Sequence, residues 1–300
     1  MVRSASFVGD VLKFNVEQKT TLLDALTEFM PNTSRSKLRK MLTEGRIHVD
    51  NAPEHKAKRE ISPGSQIELL SRVKAFETTP PPVSKQKKSN LSILWEDEAI
   101  LVVEKPAGLL SIATDKLERD TLHARCVDYI QQEDEKNWCY IVHRLDRDTS
   151  GVMVFARHQR HKEYLQNQFA EREVHRTYHA LVEGRPKQMH GTAREWLVED
   201  KNLFVKRVKS TFHGSKEAIT HWEVVDTDNH TSLIQISIET GRRHQIRMAM
   251  RSLGCPVVGD ELHGAESNAF SRVCLHASSL EFLHPDSDEP VRFESEIPFV

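Results

Sequence analysis

The sequence predicts an α+β fold with a small N-terminal α/β module and a larger domain around a mixed or antiparallel sheet. Two observations carry this prediction. The chain has 300 residues, enough for about two domains. Residues 71–90 are rich in proline, lysine and serine, which is typical of a solvated linker, and mostly strand patterns follow them. We therefore expect the module at residues 1–70, the linker at 71–90 and the larger domain at 91–300.

Two helix patterns precede short strands in the N-terminal module. Thr20 or Thr21 can cap the first helix. Thr33 or Ser34 can cap the second helix, which ends at Gly45. The strand patterns that follow lie at residues 47–49 and 66–70.

The larger domain shows five clear strand patterns and three helix patterns. The strands are expected at residues 99–104, 151–156, 174–183, 218–225 and 232–239. The helices are expected at residues 121–132, 160–171 and 242–253. Long strands with interspersed helices favour an α+β domain, although the sequence does not set the strand order.

The net charge of −2 hides an asymmetry between the two parts. Residues 1–90 contain 16 basic and 10 acidic residues, whereas residues 91–300 contain 26 and 34. A basic N-terminal part on an acidic body indicates that one module handles a polyanion. An ordinary solvated face explains an imbalance of this size equally well.

The composition argues against several classes of protein. No stretch of about 18 apolar residues occurs, so we expect no transmembrane helix, and the N-terminus lacks the apolar core of a signal peptide. The four cysteines have no C-x-x-C spacing and are expected to be free thiols. Motifs for nucleotide cofactors, zinc proteases and serine hydrolases are absent. We expect a cytoplasmic, monomeric protein without metal or cofactor.

Residues 143–151 place four charges between two apolar strand patterns. A polar loop between buried strands is where a scaffold can hold a catalytic group. Asp146 lies close to Arg144 and Arg147, which would lower its pKa and keep it ionised as a nucleophile or base. On spacing alone, a capping and salt-bridge loop is the more common explanation.

Residues 240–251 carry the second unusual segment, in which a strand ends and a helix begins. At about 100° per residue, His244, Arg247 and Arg251 share one helix face, opposite an apolar face that would dock on the sheet. Arginine suits phosphate and carboxylate because its planar fork binds two oxygens. An amphipathic helix with a solvated cationic face is the alternative.

Tyr178 lies in the strand pattern at 174–183, where it could stack on a base or transfer a proton. A tyrosine in a strand is more often part of the core.

In order and spacing, these segments resemble the ribosomal large subunit pseudouridine synthase A family. Residues 143–151 match its H-R-L-D-x-x-T-S-G signature at every position. Residues 96–108 resemble its D-x-x-[IL]-[LV]-V-V-x-K-P-x-G segment, and residues 176–178 resemble its K-x-Y strand. Its T-G-R-x-H-Q-I-R, G-D and L-H-A segments have counterparts at residues 240–247, 254–260 and 275–277.

The resemblance implies a role for individual residues. Asp146 matches the catalytic aspartate, which attacks or assists while the glycosidic bond of uridine breaks. Arg144 matches the arginine that displaces the target base, and His244 is expected to contact RNA beside it. Tyr178 matches the tyrosine that stacks on the flipped uracil and can transfer a proton. Arg247 matches the basic residue that forms an ion pair with the aspartate.

Residues 34–50 resemble the small RNA-binding module of ribosomal small-subunit protein four. Basic residues of this segment are therefore expected to contact RNA: Arg35, Lys37, Arg39, Lys40 and Arg46. The whole chain then predicts an RNA pseudouridine synthase, with ribosomal RNA favoured over transfer RNA. A non-catalytic RNA-binding or ribosome-assembly protein on a retired synthase scaffold is the alternative. Such a protein would be expected to have lost at least one of four residues, Asp146, Arg144, Tyr178 and Arg247. A protein that binds nucleic acid by charge alone is disfavoured by the acidic body.

Overall fold

The computed structural model describes residues 6–8, 11–31, 33–43, 45–70, 91–114, 118–200 and 204–300. The linker predicted at 71–90 lies outside these residues. The chain divides into two compact units, Met1–Lys88 with Ala113–Arg119, and Ser89–Ile112 with Asp120–Val300. We describe each unit by itself.

The N-terminal unit contains two helices and two small sheets among its described residues. The helices are α1 (Leu22–Phe29) and α2 (Arg35–Thr43). The strands are β1 (Ser6–Val8), β2 (Val11–Asn15), β3 (Thr20–Thr21), β4 (Ile47–Val49), β5 (Ala52–Pro53), β6 (Glu60–Ile61) and β7 (Gln66–Leu70). One sheet has the order β1-β2-β7-β4-β5, and β3 pairs with β6.

The helix caps of this unit are those that the sequence predicts. The Thr21 hydroxyl accepts from the backbone N–H of Asp24, and the Ser34 hydroxyl accepts from that of Lys37 at 3.3 Å. Both helices place their apolar faces in one core, where Leu26 and Leu42 are fully buried. The predicted strands at 47–49 and 66–70 are present, whereas the sequence reasoning missed β2.

The larger unit contains three α-helices and a short 3-10 helix among its described residues. The α-helices are α3 (Leu122–Ile130), α4 (Gln159–Glu171) and α5 (Gln245–Ser252), and the 3-10 helix is Glu261–His263. The strands up to the cleft are β8 (Ser92–Glu96), β9 (Ile100–Lys105), β10 (Tyr140–Ile141), β11 (Ser150–Ala156) and β12 (His175–Glu183). The later strands are β13 (His190–Glu199), β14 (Val205–Val208), β15 (Lys216–Thr227), β16 (Thr231–Ile238), β17 (Leu275–Leu283) and β18 (Pro290–Glu294).

These strands form one mixed sheet, as the predicted fold class requires. Its main path is β14-β13-β15-β16-β12-β17-β11-β9-β8, with β10 paired to β11 and β18 to β17. Among the described strands, β11 and β17 are the parallel pair. Hydrophobic clusters cover both faces of the sheet, one including Met250 and Ile246 of α5, the other including Leu165 of α4.

The helix predicted at 242–253 begins three residues later than expected, at Gln245. His244 has a φ of 53°, a left-handed conformation that a helix interior does not admit. The Gln245 side chain accepts from the Arg242 backbone N–H and from the Thr240 hydroxyl, which closes a turn ahead of the helix. Arg242 and Arg243 therefore precede the helix and lie in this turn.

Candidate active site

The larger unit has a cleft of about 610 Å³ on one side of its sheet. Its lining includes the loop before β11, strand β12, the turn that leads into α5 and the first residues of α5, together with the end of α4 and single residues of other strands. These segments carry all the candidate residues that the sequence assigns to this unit, namely Arg144, Asp146, Tyr178, His244 and Arg247. Residues as far apart in the chain as Arg144 and Arg247 thus meet in one place.

Asp146 lies in the loop between β10 and β11 and is partly exposed to the cleft. The prediction of a lowered pKa is wrong, because burial raises the pKa of this carboxyl above its usual value. Arg247 and Arg144 oppose that effect, as does the backbone N–H of His244, which donates to the carboxylate. The arginines adjacent in sequence did not predict the direction of the pKa shift, since the loss of water around the carboxylate outweighs their charges.

Two buried side chains fix the backbone on either side of Asp146. The Ser111 hydroxyl donates to the carbonyl of Leu145 at 2.7 Å and accepts from its N–H at 3.1 Å. The Lys105 ammonium donates to the carbonyl of Arg147 at 2.8 Å. The backbone on either side of Asp146, at Leu145 and at Arg147, is therefore held by Ser111 in the segment after β9 and by Lys105 at the end of β9.

Lys105 is fully buried, and sequence reasoning did not single it out as a site residue. Its ammonium also donates to the carbonyls of Pro106 and Leu109, which replace water around the charge. Burial lowers its pKa to about 7, although Asp148 and Asp146 act in the opposite direction. The K-P-x-G part of the motif could have indicated this residue, because a lysine that ends a buried strand needs acceptors.

Gly151 ends the motif loop and allows β11 to lie against β17. Its φ is 118°, and a Cβ at this position would lie 2.1 Å from the carbonyl oxygen of Ala277. A residue with a side chain would push the two strands apart. The preceding residue, Ser150, bonds to the His276 ring at 2.8 Å and accepts from Arg272 at 2.6 Å. The C-terminal side of the loop is thus fixed as firmly as its centre.

Tyr178 is 7% exposed and lines the cleft from β12. The register places it beside Ala277 of β17, which is itself paired with Gly151 at the start of β11. The β12–β17 ladder shifts register between Thr177 and Tyr178, a bulge of the kind found next to active sites. Burial raises the pKa of Tyr178, so its phenol is protonated at neutral pH.

Arg247 does not form the predicted ion pair with Asp146. Its Nε donates to Asp260 at 2.6 Å and its Nη2 donates to the other oxygen of the same carboxylate. Arg247 is 4% exposed and Asp260 1% exposed, so this bidentate pair is buried. The charges of Arg247 and Asp146 still act on each other, which places the guanidinium between two carboxylates.

His244 connects the cleft to Asp260 through a second histidine. Its Nδ1 lies 3.1 Å from Nε2 of His263, which follows Asp260 in the 3-10 helix. Burial lowers the pKa of both histidines to about 4, so both rings are neutral at pH 7. His244 thus acts on Asp146 through its backbone N–H and not through a charged ring.

Three further arginines of the cleft, Arg144, Arg172 and Arg243, are exposed or half-buried. Arg144 is exposed, which suits a side chain that enters RNA. Arg243 and Arg172 each form an ion pair with a carboxylate, Glu199 at 3.0 Å and Glu239 at 3.2 Å. Exposed pairs of this type contribute little to stability and can be exchanged for phosphate contacts.

The candidate RNA-binding residues of the N-terminal unit differ in exposure. Arg35 and Lys37 are exposed on α2, and Arg35 forms an ion pair with Asp24. Arg39 and Arg46 are half-buried, and the Nε of Arg46 donates to the carbonyl of Leu70 at 3.0 Å. The side chain of Lys40, which is also predicted to contact RNA, lies outside the described part of the chain.

The described residues contain neither a metal-binding cluster nor a membrane-spanning helix. No group of three or more histidine, cysteine or acidic side chains is arranged to hold a metal ion. No helix there is long and apolar enough to span a membrane. The four cysteines are buried free thiols, as predicted.

Comparison with known proteins places this geometry in context. A sequence profile described as RNA pseudouridylate synthase matches residues 99–252. Ribosomal large subunit pseudouridine synthase D of Neisseria meningitidis serogroup A is 33% identical over 291 residues, which cover 92% of this chain and 75% of that protein. The protein of the same name from Xanthomonas campestris is 32% identical and covers 91% of this chain and 84% of its own length.

Solved structures with the same fold include two human proteins. Human RNA pseudouridylate synthase domain containing 1 superimposes with a TM-score of 0.57 at 25% identity, over 71% of this chain and 85% of its own. Human RNA pseudouridylate synthase domain containing 4 gives a TM-score of 0.59 at 21% identity, over 69% and 89% of the two chains.

Proposed function

Since this chain belongs to the RNA pseudouridylate synthase family, we propose that it isomerises specific uridines of ribosomal RNA, with Asp146 as the reacting carboxylate. Membership makes the chain an RNA pseudouridine synthase, which is an isomerase. Ribosomal RNA is the finer part of the proposal, and the names of the Neisseria and Xanthomonas relatives support it. Assignment to the synthase A subfamily also stays a proposal.

One observation carries the role of Asp146: it lines a cleft that also contains buried Tyr178, and the charges of three arginines act on its carboxylate. In the reaction, the bond from N1 to the ribose C1′ breaks and a bond from C5 to C1′ forms. C5 then loses a proton and N1 gains one. A carboxylate of raised pKa suits both roles that we consider, attack on the ribose or removal of a proton, because raised basicity strengthens either.

The other cleft residues would bring uridine to this carboxylate. A uridine inside folded RNA must leave its stack, at a cost of a few kcal/mol. Exposed Arg144 would fill the space that the base vacates, and Tyr178 would stack on the uracil. Arg247 would act on Asp146 through its charge, and His244 would fix the carboxylate through its backbone N–H.

The N-terminal unit would supply affinity for RNA that does not depend on sequence. Helix α2 presents exposed Arg35 and Lys37, and lysine and arginine bind the phosphate backbone. Its likeness to the module of ribosomal small-subunit protein four stays a proposal, as do the cytoplasmic location and the monomeric state.

Mapping of pseudouridines tests the proposal. We expect large-subunit ribosomal RNA from cells without the gene to lack pseudouridine at one or a few positions. The natural gene should restore these positions, whereas a gene encoding Asp146→Asn should not. Loss confined to transfer RNA would overturn the choice of substrate, and restoration by Asp146→Asn would overturn the role of the carboxylate.

A further inference from the structure

Arg247 binds a second carboxylate, that of Asp260, which the reaction itself does not require. Its Nε and Nη2 donate to both oxygens of Asp260, and the charge of Asp146 reaches the same guanidinium from the cleft. Arg247 and Asp260 are both almost fully withdrawn from water. A single positive charge is therefore divided between two negative groups in a region of low dielectric constant.

Asp260 is held in place by its own backbone. Its N–H donates to the carbonyl of Val257 at 2.9 Å, and its carbonyl accepts from the N–H groups of His263 and Ala265 at 3.0 and 3.1 Å. The preceding Gly259 has a φ of 80°, and a Cβ there would lie 1.9 Å from the carbonyl oxygen of Arg272. The backbone of Asp260 is therefore fixed. The bidentate pair between its carboxylate and Arg247 in turn fixes the plane of the guanidinium.

This arrangement has a consequence for Asp146. A guanidinium that is already neutralised by one carboxylate stabilises a second carboxylate less than a free guanidinium would. Burial is the dominant influence on Asp146 even though Arg247, Arg144 and Arg243 all act on it.

We propose that Asp260 is a positioning residue, which orients Arg247 toward the cleft and takes up part of its charge. The functional meaning of this role rests on the proposed function, in which Asp146 reacts. Without Asp260, the guanidinium would be free to form a full ion pair with Asp146, and the carboxylate would become less basic. Asp260 therefore helps to keep Asp146 reactive, in addition to keeping Arg247 in place.

An NMR titration of the Asp146 carboxyl carbon tests the proposal without RNA. The charged groups that face Asp146 are Arg144, Arg243, Arg247, Lys105 and the titratable Tyr178, and none of these changes in the variant Asp260→Asn. We expect this variant to lower the Asp146 titration midpoint by about one pH unit, the lower end of the effect of an adjacent unpaired cation. An unchanged or raised midpoint would overturn the proposal.

Glu96→Gln provides the matched control. Glu96 of the same unit also accepts from an arginine, Arg157 at 2.9 Å, and from Tyr129 at 2.8 Å. The same change from carboxylate to amide at this position should leave the Asp146 midpoint where it is. An equal shift in both variants would show a general effect of net charge and would overturn a specific role of Asp260.

A second variant covers the case in which Asp260→Asn does not fold. In Arg247→Lys, the ammonium can still pair with Asp260. It lacks the planar guanidinium, whose remaining N–H groups could act on Asp146 at the same time. The Asp146 midpoint should then rise, and an unchanged midpoint would overturn the shared charge.

The single-turnover rate on large-subunit ribosomal RNA from cells without the gene should fall about tenfold in Asp260→Asn. An inactive natural protein in that assay would instead contradict the proposed substrate, because the titration does not depend on it.

Discussion

Two segments of this chain are rich in arginine and lysine, and their surroundings are opposite. In α2 of the N-terminal unit, Arg35 and Lys37 are exposed to solvent. In α5 of the larger unit, Arg247 is 4% exposed and bound to a buried carboxylate. Solvated cations exchange partners easily and are screened by salt, which suits contact with an RNA backbone. A buried cation needs fixed partners and in turn fixes them, which suits chemistry.

The strongest way to break this comparison is the variant Asp146→Asn. It should lower the rate of pseudouridine formation by about 10²–10⁴-fold or more, because the reacting carboxylate is gone. Its thermal unfolding midpoint at pH 7.5 should be unchanged or higher. Burial raises the pKa of Asp146, so the folded state disfavours the ionised form at this pH and the amide removes that penalty. A lower midpoint would show that the carboxylate has a structural role.

The second prediction concerns the residue that holds the backbone before Asp146. Ser111→Ala should lower kcat by about tenfold to a hundredfold and leave KM unchanged, because a shift of the carboxylate by a fraction of an ångström spoils its alignment. Ser232→Ala is the control, since Ser232 is also fully buried and donates to a carbonyl, that of Gly184 at 2.8 Å. Both variants should lose about 1 kcal/mol of stability. Equal kcat values in the two variants would contradict the role of Ser111.

The third prediction is a pH dependence. The reaction requires ionised Asp146, and its rate should fall about tenfold for each pH unit below the folded pKa. Because burial raises that pKa, the acidic limb should lie above pH 3.8, the usual value for aspartate. The limb is expected in the single-turnover rate at saturating RNA, measured from pH 4 to 8. A rate that stays constant down to pH 4 would contradict a carboxylate whose ionised form is penalised by burial.

The smallest effect is expected from the exposed cations of α2. Lys37→Ala should weaken RNA binding a few-fold and reduce the salt dependence of the binding constant by about one unit of slope. Lys19→Ala is the control, because Lys19 is an exposed cation of the same unit outside α2, paired with Glu60. Filter binding at several salt concentrations measures both variants. Equal slopes would contradict a specific role of α2.

Local patterns predicted the elements of both units well where side chains alternate or recur clearly. The caps at Thr21 and Ser34 and the fully buried strand β11 are examples. Strand β17 was missed, although it borders the site, because buried His276, Ser278 and Ser279 interrupt its apolar run, whereas residues 152–156 of β11 are apolar without a break. The start of α5 was misplaced, because the left-handed conformation of His244 depends on side-chain contacts of Thr240 and Gln245.

The candidate site also contains residues that the sequence predicted and residues that it did not. Sequence motifs brought together Arg144, Asp146, Tyr178 and Arg247, which all line one cleft. The partner of Arg247 and the raised pKa of Asp146 could not be predicted, because both depend on burial and on distances across the fold. Lys105, Ser111 and Asp260 were not identified as site residues for the same reason. Each of them acts through a contact with a residue distant in sequence.

We propose that the buried charges of the larger unit perform the chemistry, while the exposed charges of α2 provide affinity for RNA. One experiment tests both halves: the dissociation constant and the single-turnover rate at saturating RNA, measured side by side for Asp146→Asn and Lys37→Ala in the full chain. We predict that Asp146→Asn binds with natural affinity and does not react, and that Lys37→Ala binds more weakly and reacts at the natural rate once saturated. A reactive Asp146→Asn, or a saturated Lys37→Ala that reacts slowly, would contradict the account.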